Sequence, residues 1–132
     1  MHVGTASYLP FQDNTFDMVI FGFSLVFIAA SEWFRVVAES TRVLKDGGYI
    51  IIHDYSYVQA HRMVFQVAYR RDDESRESQP IYMYYFNWPH LWTVHPGCRL
   101  VYERMMRDKV EAVTVISKDF SNAFDKCEMS VK

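Results

Sequence analysis

The turn-rich segment Leu9-Pro10-Phe11-Gln12-Asp13-Asn14-Thr15 gives way to a nearly unbroken apolar run, Phe16-Asp17-Met18-Val19-Ile20-Phe21-Gly22-Phe23. Pro and Asp-Asn set the turn. An apolar run without alternation predicts a strand covered on both faces, the habit of a parallel α/β sheet. From Ser31, read as N-cap with Glu32 in the first turn, Trp33, Phe34, Val37, Thr41 and Leu44 recur at helical spacing. Glu32, Arg35, Glu39 and Arg42 mark the wet side of this helix. Lys45 suits the negative end of its dipole, and Asp46-Gly47-Gly48 stops it and turns the chain. Tyr49-Ile50-Ile51-Ile52-His53-Asp54 then reads as a second strand. Strand, helix and strand make a right-handed βαβ unit with parallel, neighbouring strands.

Beyond Asp54 the periodicity predicts a helix over Val58 to Arg70, with Val58, His61, Phe65 and Ala68 on one face. Arg70 to Ser78 mixes both charge signs and has no apolar residue, so it reads as a solvated loop. Ile81 to Pro96 concentrates Tyr82, Tyr84, Tyr85, Phe86, Trp88 and Trp92, while Pro89 and Pro96 forbid a long helix. Those rings are core, pocket wall or a lid packed on the sheet. Arg99 to Met106 and Val110 to Ser117 read as two strands joined by Arg107-Asp108-Lys109, an antiparallel hairpin. The polar tail after Phe120 is expected to fray. Without a repeat or a linker, residues 1–132 read as one domain.

Composition narrows the function classes. Half of the 132 residues are apolar and 17% are aromatic, which excludes disorder over most of the length and allows a sizeable core. Fourteen basic against sixteen acidic residues leave a formal charge of −2, so there is no global field for nucleic acid or an anionic membrane. Cys98 and Cys127 lie far apart and outside any CxxC pair, which argues for a reducing, cytoplasmic setting and against a zinc finger. No apolar run is long enough to span a bilayer. His2, His61, His90 and His95 lack ligand spacing, so no metal site is expected.

Gly4-Thr5-Ala6, Leu9-Pro10-Phe11, Phe16-Asp17-Met18-Val19 and Arg42-Val43-Leu44-Lys45-Asp46-Gly47-Gly48, in this order, resemble the second half of a class I S-adenosylmethionine-dependent methyltransferase. That family carries a "G-D-A-x-x-L-P-F" loop, then "F-D-x-V", then a helix ending in "R-V-L-K-P-G-G" before a strand. The resemblance covers Gly4 to Asp54. More loosely, Tyr82-Met83-Tyr84, Pro96 and Arg107 to Lys118 look like the C-terminal strands of a bacterial subgroup. It implies an α/β fold: a partial, Rossmann-like methyltransferase sheet with parallel strands, a crossover helix and a C-terminal antiparallel hairpin. The departures from the family are the missing glycine-rich cofactor loop and the missing acidic ribose ligand. The five glycines, Gly4, Gly22, Gly47, Gly48 and Gly97, form no GxG. Thr5 stands where the family has the Asp that contacts the adenine amine; its hydroxyl still accepts a hydrogen bond, without the charge.

Ligands of open α/β sheets sit beyond the carboxyl ends of the strands. By the resemblance, Thr5, Ala6 and Ser7, together with Phe21, Gly22 and Phe23, are the candidate S-adenosylmethionine contacts, and weak or absent binding is expected in this chain alone. His53 and Asp54 end the second strand and are the candidate catalytic residues: an imidazole near working pH serves as base for a hydroxyl or amine. Neighbours on a strand point to opposite faces, which works against a dyad. Methyl transfer to an unnamed acceptor, with the missing strands supplied, is the first functional reading. A non-catalytic remnant acting as an interaction or assembly module is the alternative. In the family the strand equivalent to Phe16–Phe23 lies mid-sheet, so here one of its edges is unpaired, and a homodimer through that edge is expected.

Overall fold

A computed structural model describes residues 3–57, 60–70, 76–108 and 110–121. Strand β1 (Phe16–Gly22) is followed by two 3-10 turns, Leu25–Phe27 and Ala30–Glu32, helix α1 (Trp33–Val43) and strand β2 (Leu44–Tyr55). Strands β3 (His61–Arg70) and β4 (Arg76–Tyr85), the short helix α2 (Pro89–Thr93), and strands β5 (Cys98–Met105) and β6 (Glu111–Lys118) complete it. One sheet has the order β1-β2-β6-β5, with β1 and β2 parallel and β6 antiparallel to both of its neighbours; β3 and β4 form a separate pair. The parallel pair, the crossover helix and the terminal hairpin thus stand as the sequence predicts.

Register explains the burial. Ile50, Ile52 and Asp54 of β2 lie opposite Ile116, Thr114 and Ala112 of β6, and all six are buried. Phe21, beside Ile52 on the same face, meets Trp92 of α2 at 5.6 Å. Val36, Ser40 and Val43 of α1 are buried as well, so α1 and α2 share one core with this face. The opposite face carries Met18, Ile20, Tyr49 and Tyr102, each 44–64% exposed. Among the described residues one edge of β1 is unpaired, as the strand count implies, but the expectation that this run is covered on both faces is corrected: only Phe21 of β1 is buried, and the face with Met18 and Ile20 stays open.

Several expectations are corrected. Ser31 is not the N-cap: it lies inside the 3-10 turn, where the Glu32 N–H is already satisfied by the Ala29 carbonyl at 2.9 Å, and Glu32 precedes the helix without a side-chain cap. Phe34 is 75% exposed, and the deep stripe of α1 runs through Val36, Ser40 and Val43 instead. Trp33 is partly buried against the core and packs on Phe86 at 5.4 Å and Trp88 at 5.2 Å, with Tyr84 of β4 at 6.5 Å. Strand β2 begins at Leu44, which pairs with Phe16; residues 45–48 then loop out before Tyr49 pairs with Met18. Gly47 makes that loop at φ +82, and a Cβ on Gly48 would stand 2.8 Å from the Asp17 carbonyl oxygen.

The helix predicted over Val58 to Arg70 is, in its described part, strand β3. His61 to Arg70 pair residue for residue with Tyr85 to Arg76. The β-branched and aromatic residues of this segment outweighed its helical spacing once a partner strand was available. Arg70 and 76–78, assigned to a solvated loop, belong to the same hairpin, while 71–75 and the tail from 122 lie outside the described residues. Trp88 and Trp92 are core rather than lid: they are 1% and 0% exposed, and each indole N–H is used, by the Tyr55 carbonyl at 2.7 Å and the Ser40 hydroxyl at 3.0 Å. No described helix is long and apolar enough to cross a membrane.

Candidate active site

The chain before β1 is fastened to α1 chiefly through Arg42. Arg42 donates to the carbonyls of Phe11 (2.7 Å) and Leu9 (2.9 Å) and to Asp13 (2.9 Å), and it grips both oxygens of Glu39. Glu39 in turn accepts the Leu9 N–H at 2.7 Å. These bonds settle the Leu9–Asp13 loop, and with it the turn at Thr5–Tyr8, where the Tyr8 N–H meets the Thr5 carbonyl. The Arg42 hydrogen bond first, and the Leu9 N–H second, hold the Glu39 carboxyl at about 2, against an ordinary 4.5. A depressed carboxylate stabilises the fold above its unfolded pKa. Acid titration is therefore expected to show that contribution intact above about pH 4.5 and lost as pH falls toward 2. Carboxyl NMR on an Arg42→Met chain should return Glu39 toward 4.5, and a value still near 2 would refute the clamp.

The fastened loop forms one wall of a cleft of about 380 Å³ along the free edge of β1; Thr5, Ala6, Pro10, Ile20, Phe21 and Ser24 are among its lining residues. Three of the six predicted cofactor contacts, Thr5, Ala6 and Phe21, thus share one cavity. Ser7 lies behind them, its hydroxyl 2.9 Å from that of Thr5. Gly22 faces open space, with nothing within 4 Å of where a Cβ would stand. Phe23 takes a left-handed backbone at φ 47. For an aromatic residue this costs on the order of 1–3 kcal/mol. It turns the ring over His53, centroid to centroid 4.6 Å, while its N–H binds the His53 carbonyl at 2.8 Å.

The two predicted catalytic residues are on opposite faces. Asp54 points into the core, 1% exposed, and accepts the N–H of Tyr55 at 2.8 Å and of Leu25 at 3.0 Å. Burial pushes its carboxyl up, against the pull of these backbone donors. It anchors the 3-10 turn that follows β1. His53 is on the uncovered face and partners Glu111 of β6, Nε2 to Oε2 3.4 Å, with the two side chains 38% and 28% exposed. Sequence reasoning missed Glu111, 58 residues away, because only the β2–β6 register brings it diagonally across from His53. Among the described residues, no three His, Cys, Asp or Glu side chains gather as a metal site would need.

A parallel strand pair joined by a helix, an antiparallel hairpin added at β2, and a cleft at the carboxyl end of β1 define the later part of a class I S-adenosylmethionine-dependent methyltransferase fold. Solved structures agree. A protein from Pyrococcus horikoshii OT3 superposes with a TM-score of 0.64 at 21% identity, over 89% of this chain and 58% of that one. A SAM-dependent methyltransferase from Methanosarcina mazei gives 0.63 at 21% identity, over 89% and 66%. Residues 1–52 match the family described as "Methyltransferase domain". Over 48 residues the chain is 48% identical to the demethylmenaquinone methyltransferase of Bacillus cereus (strain B4264), which covers 36% of this chain and 19% of that relative. Residues 1–52 thus resemble the methyltransferase-domain family, the fold is that of the solved methyltransferase, and the chain spans about a fifth of the length of the curated relative it matches.

Proposed function

We propose that this chain carries the later half of a methyl-transfer site, completed by strands that pair with the free edge of β1. The observation behind it is the cleft at that edge, lined by Thr5, Ala6 and Phe21 in a segment that matches the methyltransferase family. S-adenosylmethionine supplies an electrophilic methyl group on a sulfonium. The residues present fit one wall of its site: the Thr5 hydroxyl for a polar edge, Phe21 for an apolar one, and Gly22 for close approach of the backbone. The wall built in the family by a glycine-rich loop has no counterpart in these 132 residues. His53, in β2 beside the last residue of β1, serves as base for the acceptor, and Asp54 holds the turn that shapes the cleft. The named relatives act on demethylmenaquinone, but the family match ends at residue 52, so the acceptor is not carried over with it.

Titration with S-adenosylhomocysteine, followed by NMR, tests this reading. Shifts confined to Thr5–Ser7 and Phe21–Phe23, with millimolar affinity, are expected, and Gly22→Val should weaken them because its branched side chain fills the open approach. Micromolar or tighter binding would show that the absent loop is dispensable. No shift at these residues would overturn the placement of the site.

The uncovered edge favours a second, compatible reading as an assembly module. Phe16–Gly22 lacks a partner on one side among the described residues, and Met18 and Ile20 within it are 48% and 64% exposed. A second copy pairing there would form a two-fold dimer and close the cleft from the far side. Sedimentation across a concentration series is expected to show the dimer; a soluble monomer at tens of micromolar would remove this reading.

A further inference from the structure

We propose that Glu111 is a positioning residue, and that it prepares His53 to take the proton of a phenol-class acceptor seated against Phe23. This rests on the methyl-transfer reading above and deepens it. The inference starts from the pairing of His53 Nε2 with Glu111 Oε2. An ionised carboxylate only accepts hydrogen bonds, so Nε2 must carry the proton. Nδ1 is then the nitrogen with the lone pair, and among the described residues it has no hydrogen-bond partner. Carboxylate and imidazole are held by the antiparallel register, in which His53 faces Val113 and the next open-face residue, Tyr55, faces Glu111. Two further charged or titratable groups are nearby: Arg104, across from Val113 on β5, and Tyr55 itself.

Two observations indicate the acceptor. Phe23 keeps a left-handed backbone and lays a part-exposed ring beside His53, with Tyr55 5.4 Å beyond it, so a flat ring finds aromatic faces next to the base. Glu111 also lines a groove of about 410 Å³ with Met105, Met106, Arg104, Arg107 and Asp108, which gives an apolar body room at the same end of the sheet. The proton sets the class. A phenol ionises near pH 10, so its proton is far easier for a base to take than that of an alkanol. In the step itself the acceptor oxygen forms its bond to the methyl carbon, and the carbon–sulfur bond of the donor breaks with its electron pair left on sulfur. The hydroxyl proton passes to Nδ1.

The test needs no turnover. Long-range proton–nitrogen NMR of the 132-residue chain in alkaline buffer is expected to show the Nε2–H tautomer at His53. Glu111→Ala should mix the tautomers, and Glu111→Gln, whose amide oxygen still accepts, should keep Nε2–H. Binding of 2-naphthol, which can donate to Nδ1, should shift His53 and Phe23 and be about three- to tenfold tighter than that of 2-methoxynaphthalene, which cannot. Glu111→Ala should erase that preference and Glu111→Gln should retain it. An Nδ1–H tautomer in the unaltered chain, a preference that survives Glu111→Ala, or naphthol shifts away from His53 would each overturn the proposal. Failure of the cofactor reading would appear separately, as missing S-adenosylhomocysteine shifts at Thr5–Phe23.

Discussion

Replacing Trp92 by alanine is expected to lower stability by about 3–5 kcal/mol, the range for large aromatic deletions in cores. That is a large share of the roughly 5–15 kcal/mol that holds an ordinary domain together. Trp92 is fully buried, meets Phe21 of β1 at 5.6 Å, and donates its indole N–H to Ser40 of α1. One side chain thus ties α2 to both arms of the βαβ unit. Truncation leaves a cavity between them and removes a donor from the buried Ser40 hydroxyl, which keeps only its own bond to the Val37 carbonyl at 3.1 Å. Trp92→Phe separates the two effects, since it restores much of the volume without the N–H. Urea denaturation should rank the chains native, Trp92→Phe, Trp92→Ala. A Trp92→Ala loss under about 1 kcal/mol would mean that α2 does not share this core.

What could be read from the sequence follows from how local each signal is. The βαβ unit was legible because Phe16–Phe23, the α1 stripe and Tyr49–Asp54 each carry their pattern within a few residues. The glycines mark the turn for reasons visible in the structure, the left-handed Gly47 and the Gly48 that backs onto Asp17. Strand β3 was not legible, since Val58, His61, Phe65 and Ala68 satisfy a helical spacing and only the partner strand β4 decides against it. In the site, Thr5, Ala6 and Phe21 could be nominated from motif order and do share a cleft. The supporting residues could not. Arg42 looks like an ordinary wet-face charge until its carbonyl partners are seen, and Glu111 has no local signal linking it to His53. Long-range polar contacts of this kind depend on register and loop placement, which periodicity does not encode.

Lys118 gives the other large expected effect. It is a lysine 4% exposed, with no acidic side chain bonded to its ammonium among the described residues. The ammonium instead donates to the carbonyls of Thr41, at 2.6 Å, and Leu44, and to the Asn14 side chain at 3.3 Å. These carbonyls lie at the end of α1, where the helix leaves its last acceptors unpaired and its dipole favours a cation. Phe120 covers the group, its ring centroid 4.8 Å from Nζ. One side chain on β6 therefore caps the crossover helix and secures the start of β2. Lys118→Met keeps the stem and much of the volume but orphans two buried carbonyls. At about 1–3 kcal/mol for each unsatisfied group, a loss of roughly 2–5 kcal/mol is expected, offset in part because burying the ammonium was itself costly. Hydrogen exchange sharpens the test beyond a bulk stability measurement. If Lys118 acts as the cap, Lys118→Met should speed exchange of the last-turn amides of α1 and of the Asn14 and Thr15 N–H groups, which bond the Arg42 and Val43 carbonyls. The paired amides between β5 and β6 should lose far less protection. Uniform loss across both regions would mean that Lys118 supports the fold globally and not as the cap of α1.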